Sequence, residues 1–71
     1  MNCIVYFENS WGIRREIGRA TSTRGAYMII NDFLDAYGYK SYYKRTWTTE
    51  EGETCVDVGS WSEFFYIKDV G

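Results

Sequence analysis

Catalysis needs side chains that can hold a metal, move a proton or attack an electrophile, and this chain is poor in all three. Its 71 residues contain no histidine, which removes Ser-His and Cys-His nucleophile pairs, imidazole acid/base work and every zinc site built on imidazole. Cys3 and Cys55 are the only cysteines, and two thiolates cannot make up a zinc ligand set. The acids that remain available for catalysis include Glu8, Glu16, Asp32 and Asp35. Asp32 and Asp35 stand i, i+3 on one helix, a spacing that on an exposed face serves solubility. No glycine-rich phosphate loop, metal-ligand cluster or nucleophile elbow accompanies them. The residue types therefore predict a non-enzymatic protein with no catalytic residue, no metal and no cofactor.

Recognition chemistry is better supplied. Three Trp, seven Tyr and four Phe make 20% of the chain aromatic, more ring surface than one small core needs. Two tight polar turns, Asn9-Ser-Trp-Gly12 and Gly59-Ser-Trp-Ser62, each hold an indole where folding seldom requires one, so Trp11 and Trp61 read as anchors for a partner or as lids over the core. The run Tyr42, Tyr43, Lys44, Arg45 followed by Trp47 interleaves bases with rings, the pattern that stacks and neutralises single-stranded nucleic acid. A sequence pI near 4.9 weighs against that alternative, because phosphate affinity rises with uncompensated positive charge.

Length and charge bound the possibilities further. A 71-residue chain makes one domain, near the lower limit for a core without disulfides or metal, and dimerisation would help it. The opening Met-Asn-Cys-Ile-Val-Tyr-Phe has no basic segment and too short an apolar run for a signal or membrane span, which predicts a cytoplasmic protein with both cysteines reduced and acting as small hydrophobes. Net charge is −2, yet residues 1–45 hold seven Lys/Arg against four Asp/Glu, while residues 46–71 hold one against six. If the fold keeps the halves apart, each could meet a surface of opposite sign. The Glu50–Glu53 segment could even imitate a nucleic-acid backbone, although six acids make a sparse row.

The elements that must position these groups follow from periodicity. Cys3 to Glu8 is β-branched and aromatic, 9–12 supplies turn residues, and Ile13 and Ile17 alternate with Arg14 and Glu16, which predicts a hairpin closed by Gly18. Arg15 shares parity with the isoleucines, so it must lie at an edge, snorkel or be displaced by a bulge. A hydroxyl cap among Thr21, Ser22 and Thr23 precedes Ala26, Ile29, Ile30, Phe33, Leu34 and Tyr37 at three- and four-residue spacing, predicting a helix over 24–37 stopped by Gly38. Tyr39 would fold back on its last turn. Strands over 42–49, 54–58 and 64–67 complete a ββαβββ order: an α+β fold with an antiparallel sheet and a single helix on one face. Glu50–Glu53 forms the hairpin loop between the first two of these, with Gly52 in left-handed conformation.

One helix can hide one face of such a sheet. Val56, Val58, Phe65 and Ile67 belong by parity to the covered face, leaving Cys55, Phe64, Tyr66 and one of Tyr42 and Tyr43 on the other. Rings on an uncovered face predict a dimer interface or a ligand surface. The expected protein-binding residues are thus Trp11, Tyr42, Tyr43, Trp61, Phe64 and Tyr66. Nucleic-acid binding through Tyr42, Tyr43, Lys44, Arg45 and Trp47, and a structural homo-oligomer, are the alternatives.

Four runs, Arg15-Glu-Ile-Gly-Arg-Ala20, Ile29-Ile-Asn-Asp-Phe-Leu-Asp35, Lys40-Ser-Tyr-Tyr-Lys44 and Asp57-Val-Gly-Ser-Trp-Ser-Glu-Phe-Phe-Tyr-Ile67, together resemble small uncharacterised proteins encoded by phages and prophages of Gram-positive bacteria. The resemblance implies a protein that binds and disables a host protein, including restriction, CRISPR and other defence machinery. It implies no catalytic pattern.

Overall fold

The computed structural model describes residues 2–38, 45–58 and 63–71. Strands β1 (Cys3–Glu8) and β2 (Arg14–Ala20) precede helix α1 (Thr23–Ala36), followed by β3 (Arg45–Thr48), β4 (Thr54–Asp57) and β5 (Phe64–Asp69). All pair antiparallel in one sheet of order β2-β1-β5-β4-β3, and α1 lies against β1 and β2. The architecture is α+β, in the ββαβββ order predicted by the sequence. The last strand inserts at the centre of the sheet, so residues remote in sequence become neighbours.

The helix begins where the hydroxyl run placed it. Ser22 is extended and its Oγ accepts a hydrogen bond from the Gly25 amide at 3.0 Å, satisfying one of the free donors of the first turn. At the other end Gly38 takes φ +65°, a conformation cheap only without a side chain, and its amide donates to the Asp35 carbonyl. Ala26, Ile30 and Leu34 form the buried stripe. They pack on Cys3, Val5, Val56, Val58, Phe65 and Ile67, so the face assigned to the core by parity is the buried one.

The first hairpin differs from the expectation at both ends. Ile13 is not in the strand but in the turn, and Gly18 does not close β2, which continues to Ala20. A Cβ at Gly18 would stand 3.0 Å from the Ile29 side chain, which would have to shift to admit it, so glycine here allows close approach of helix and strand. An irregularity in β2 keeps Arg15 on the same side as Ile17, and its place on an edge strand lets it reach solvent there. The register passes from Val5↔Gly18 to Tyr6↔Glu16, leaving Ile17 as the extra residue of a bulge. Ile17 thereby packs against the core, while Arg15 pairs with Phe7 on an edge strand and remains exposed.

The predicted loop of β3 and β4 is closed by Gly52 at φ +82°, with the Thr49 amide donating to the Glu53 carbonyl at 2.7 Å. Both cysteines are free and buried. The register places Cys3 on the helix side with Val5 and Cys55 on the opposite side with Tyr66, so the sheet itself separates them. The fold-back expected of Tyr39 lies outside the described residues.

Candidate functional site

Three regions carry aromatic side chains that could meet a partner: the first hairpin turn, the sheet face away from the helix, and a pocket where the helix ends.

The turn spans 9–13. Asn9 organises it: its Oδ1 accepts from the Trp11 amide at 2.9 Å and the Ile13 amide at 3.1 Å, its carbonyl accepts from Gly12, and its own amide donates to the Ile13 carbonyl. Asparagine suits this role because its short amide can replace a backbone acceptor within a turn. Gly12 supplies the positive φ of +78° that the chain reversal needs. The result is a pinned turn whose apolar side chains are in solvent, with Trp11 87% and Ile13 63% exposed. Trp11 makes no ring contact among the described residues. A lid over the core would be packed, and this indole is not.

The second region is the uncovered sheet face. Register places Cys55, Phe64 and Tyr66 there, as parity predicted, together with Tyr6, Glu8, Arg14, Arg45 and Trp47. Both Phe64 and Tyr66 are half-buried on this face, because other side chains lie against them. The Arg14 guanidinium lies 3.7 Å from the centre of the Tyr66 ring and reaches across to β4, where its Nη1 donates to both carboxylate oxygens of Glu53 at 2.9 and 3.0 Å. Arg14 Nε donates to Glu8 Oε1 at 3.3 Å, and the Tyr66 hydroxyl donates to Glu8 Oε2 at a long 3.4 Å. Four successive strands or their flanks are thus tied together over one ring. Phe64 meets Trp47 edge-on at 6.4 Å, and Arg45 lies 5.4 Å from the Trp47 ring. Among the described residues, the ring of this face that solvent reaches best is Trp47, 41% exposed.

Electrostatics follow from this cover. Burial opposes the charge of Arg14, but the hydrogen bonds and charge of Glu53, with help from Glu8 and Tyr66, more than offset it and raise its pKa above the ordinary arginine value. Burial raises the Cys55 thiol above its ordinary 9.0 and the Tyr66 phenol above its ordinary 10.0, with neighbouring negative charge adding to both. Cys55 is therefore an uncharged, shielded thiol rather than a nucleophile. The charge-separated halves of the sequence also meet here. Arg14 pairs with Glu53, and Arg45 with Asp57 at 3.5 Å, so these cations are committed within the molecule. For nucleic acid this matters, because the Arg45 charge beside Trp47 is already partly neutralised.

The third region was not foreseen. Phe33 stands 4.8 Å from Phe7, 5.5 Å from Phe65 and 4.6 Å from Tyr37, a four-ring cluster joining β1, β5 and the end of α1. These rings, with Leu34, Val58, Arg15 and Glu63, line a cavity of about 320 Å³. Tyr37, which helical spacing assigned to the core stripe, is 67% exposed at the rim. The misplaced parity of Arg15 was the only sequence signal for this pocket.

Of the residues singled out from sequence, Trp11 is displayed, Phe64 and Tyr66 are half-covered, and Trp47 and Arg45 stack on one another. Tyr42, Tyr43, Lys44 and Trp61 lie outside the described residues. Among the described residues no group of three acids or cysteines could hold a metal ion, and no helix is long and apolar enough to cross a membrane. No family model, curated protein or solved structure matches the chain.

Proposed function

We propose that this chain is a non-enzymatic binding protein that docks on a partner protein through its first hairpin turn. One observation carries the reading: an indole 87% exposed on a turn held by four hydrogen bonds. Tryptophan is the side chain most enriched among interface hot spots, since it buries a large rigid surface with little entropy to lose. Because Asn9 and Gly12 fix the backbone beforehand, association need not order this loop, which removes a cost that flexible loops carry. Ile13 beside it extends the apolar contact.

In its most specific form the proposal is a phage-type small protein that inhibits a host defence factor in the bacterial cytoplasm. That refinement rests on the sequence runs that resemble phage and prophage proteins. A second copy of the chain is the other partner this surface could take, since a domain of this size gains stability by dimerising.

The experiment is a side-by-side capture from host lysate with the wild-type chain and the Trp11→Ala variant, followed by titration of whatever protein the wild type retains. Loss of about 2 kcal/mol or more, roughly 30-fold in Kd, with an unchanged melting temperature is expected. Equal affinity of the two proteins would remove the hairpin from the interface. Sedimentation of both at several concentrations separates a heterologous partner from self-association.

A further inference from the structure

The pocket beside the hairpin has a composition that specifies more than an apolar contact. Phe7, Phe33, Phe65 and Tyr37 form its walls, and Arg15 and Glu63 stand at its margin. Register puts Arg15 opposite Phe7, one rung below the Glu8–Arg14 pair that the Trp11 turn closes, so pocket and turn share one end of the sheet. The two margin charges are not equivalent. Glu63 already has an interaction of its own. Arg15, like Arg24 on the helix, makes no hydrogen bond or ion pair among the described residues, whereas Arg14, Arg19 and Arg45 each have a carboxylate. An uncompensated guanidinium at the mouth of an aromatic pocket attracts an anion held next to an apolar group.

Size narrows the occupant. A dry cavity of about 150 Å³ holds benzene, so about 320 Å³ admits a bicyclic or single large ring together with part of the chain that bears it. A nucleobase would also fit by size, but its polar edges need several hydrogen-bond partners, and these walls are chiefly hydrocarbon. We propose that this pocket receives an aromatic side chain of the partner protein that is flanked by acidic residues, with Arg15 reading the acid. The inference rests on the protein-binding reading above and names the chemistry of the partner segment.

The test uses the full chain, isotope-labelled for nuclear magnetic resonance, and three probes: acetyl-Asp-Trp-Asp-amide, acetyl-Lys-Trp-Lys-amide and adenosine monophosphate. Saturable shifts at the Phe33 and Phe65 rings and at the Arg15 Nε–H are expected with the acidic peptide, and about fivefold weaker binding of the basic one. Arg15→Gln should abolish the preference and Arg15→Glu reverse it, and because Arg15 is exposed on an edge strand both variants should keep the wild-type spectrum elsewhere. Equal binding of the two peptides, no shift at the rings, or displacement of the peptide by the nucleotide would each overturn the proposal. None of these readings needs the Trp11 partner. A Trp11→Ala variant that retains partner binding would sink the hairpin reading alone, and a silent pocket would sink only this one.

Discussion

The hairpin turn and the uncovered sheet face both carry rings outside the core, yet the molecule treats them differently. On the sheet face, Tyr66 lies under Arg14, and Phe64 lies beside Trp47, which is itself partnered by Arg45. Each arginine is then held by an acid from the other half of the chain, Glu53 or Asp57. In the turn, Trp11 has backbone support but no side-chain cover. A strand residue has cross-strand neighbours about 5 Å away that can fold over it, whereas a residue at the tip of a two-stranded turn has none. Rings that merely lack a helix are therefore not yet a binding surface. The turn, where the protein fixes the backbone and leaves the indole bare, has the stronger claim.

Several substitutions would break or sharpen this contrast. The largest effect should come from Arg14→Ala, which leaves the buried Glu53 carboxylate without its guanidinium and uncovers Tyr66. A loss of about 2 kcal/mol in urea unfolding is expected, and a change within about 0.5 kcal/mol would show that the sheet-face cover is incidental. Asn9→Ala should cost about 1 kcal/mol, because it removes the side-chain acceptor for two turn amides. It should also weaken partner binding by loosening the turn, so both readouts move together.

Alkaline titration addresses the sheet face alone. Cys55 and Tyr66 have pKa values raised by burial, so the native state holds their protons more tightly than the unfolded chain. That stability is complete below the ordinary thiol value of 9.0 and should be lost as pH rises above it, first through Cys55 and then through Tyr66. Cys55→Ala should delete the earlier part of the decline, and a thermal midpoint that holds level from pH 8 to 10.5 (roughly the span between these ordinary values) would contradict the shielding. The smallest stability effect belongs to Trp11→Ala, within about 0.5 kcal/mol of zero, as for a surface site with no packing. A drop of about 2 kcal/mol would instead make Trp11 structural.

Much of this architecture was legible in the residue order. The Ser22 cap, the stripe from Ala26 to Leu34, and Gly38 marked the helix because each acts within a turn or two of chain. Alternation in Val56, Val58, Phe65 and Ile67 identified the buried face, since the pleat fixes parity whichever strands lie alongside. The bulge at Ile17 was not legible: Arg15 sharing parity with Ile17 flagged a conflict, and the shift keeps both on the helix side while the edge position leaves Arg15 in solvent. The close approach at Gly18 stayed hidden, because the Ile29 side chain that crowds a Cβ there comes from a separate element.

The candidate site was less legible for the same reason. Composition and turn residues pointed to Trp11, and the turn stands almost alone, so its local sequence defines its display. Tyr66 was placed on the correct face but not under Arg14, because a contact between β2 and β5 depends on strand order. The four-ring pocket needs Phe7, Phe33, Tyr37 and Phe65 brought together from three elements, and spacing along the chain says nothing of that.

Sequence by itself determined the elements, their faces and the absence of histidine chemistry, all consequences of composition and of periodicities of about 2 and 3.6 residues. Tertiary structure alone decided which rings stay exposed. Inserting β5 between β1 and β4 carries Glu53 and Asp57 to the arginines of the first half of the chain. The cost of leaving a buried charge unpaired then draws those side chains over Tyr66 and toward Trp47, while Trp11, at the tip of its turn, stays in solvent.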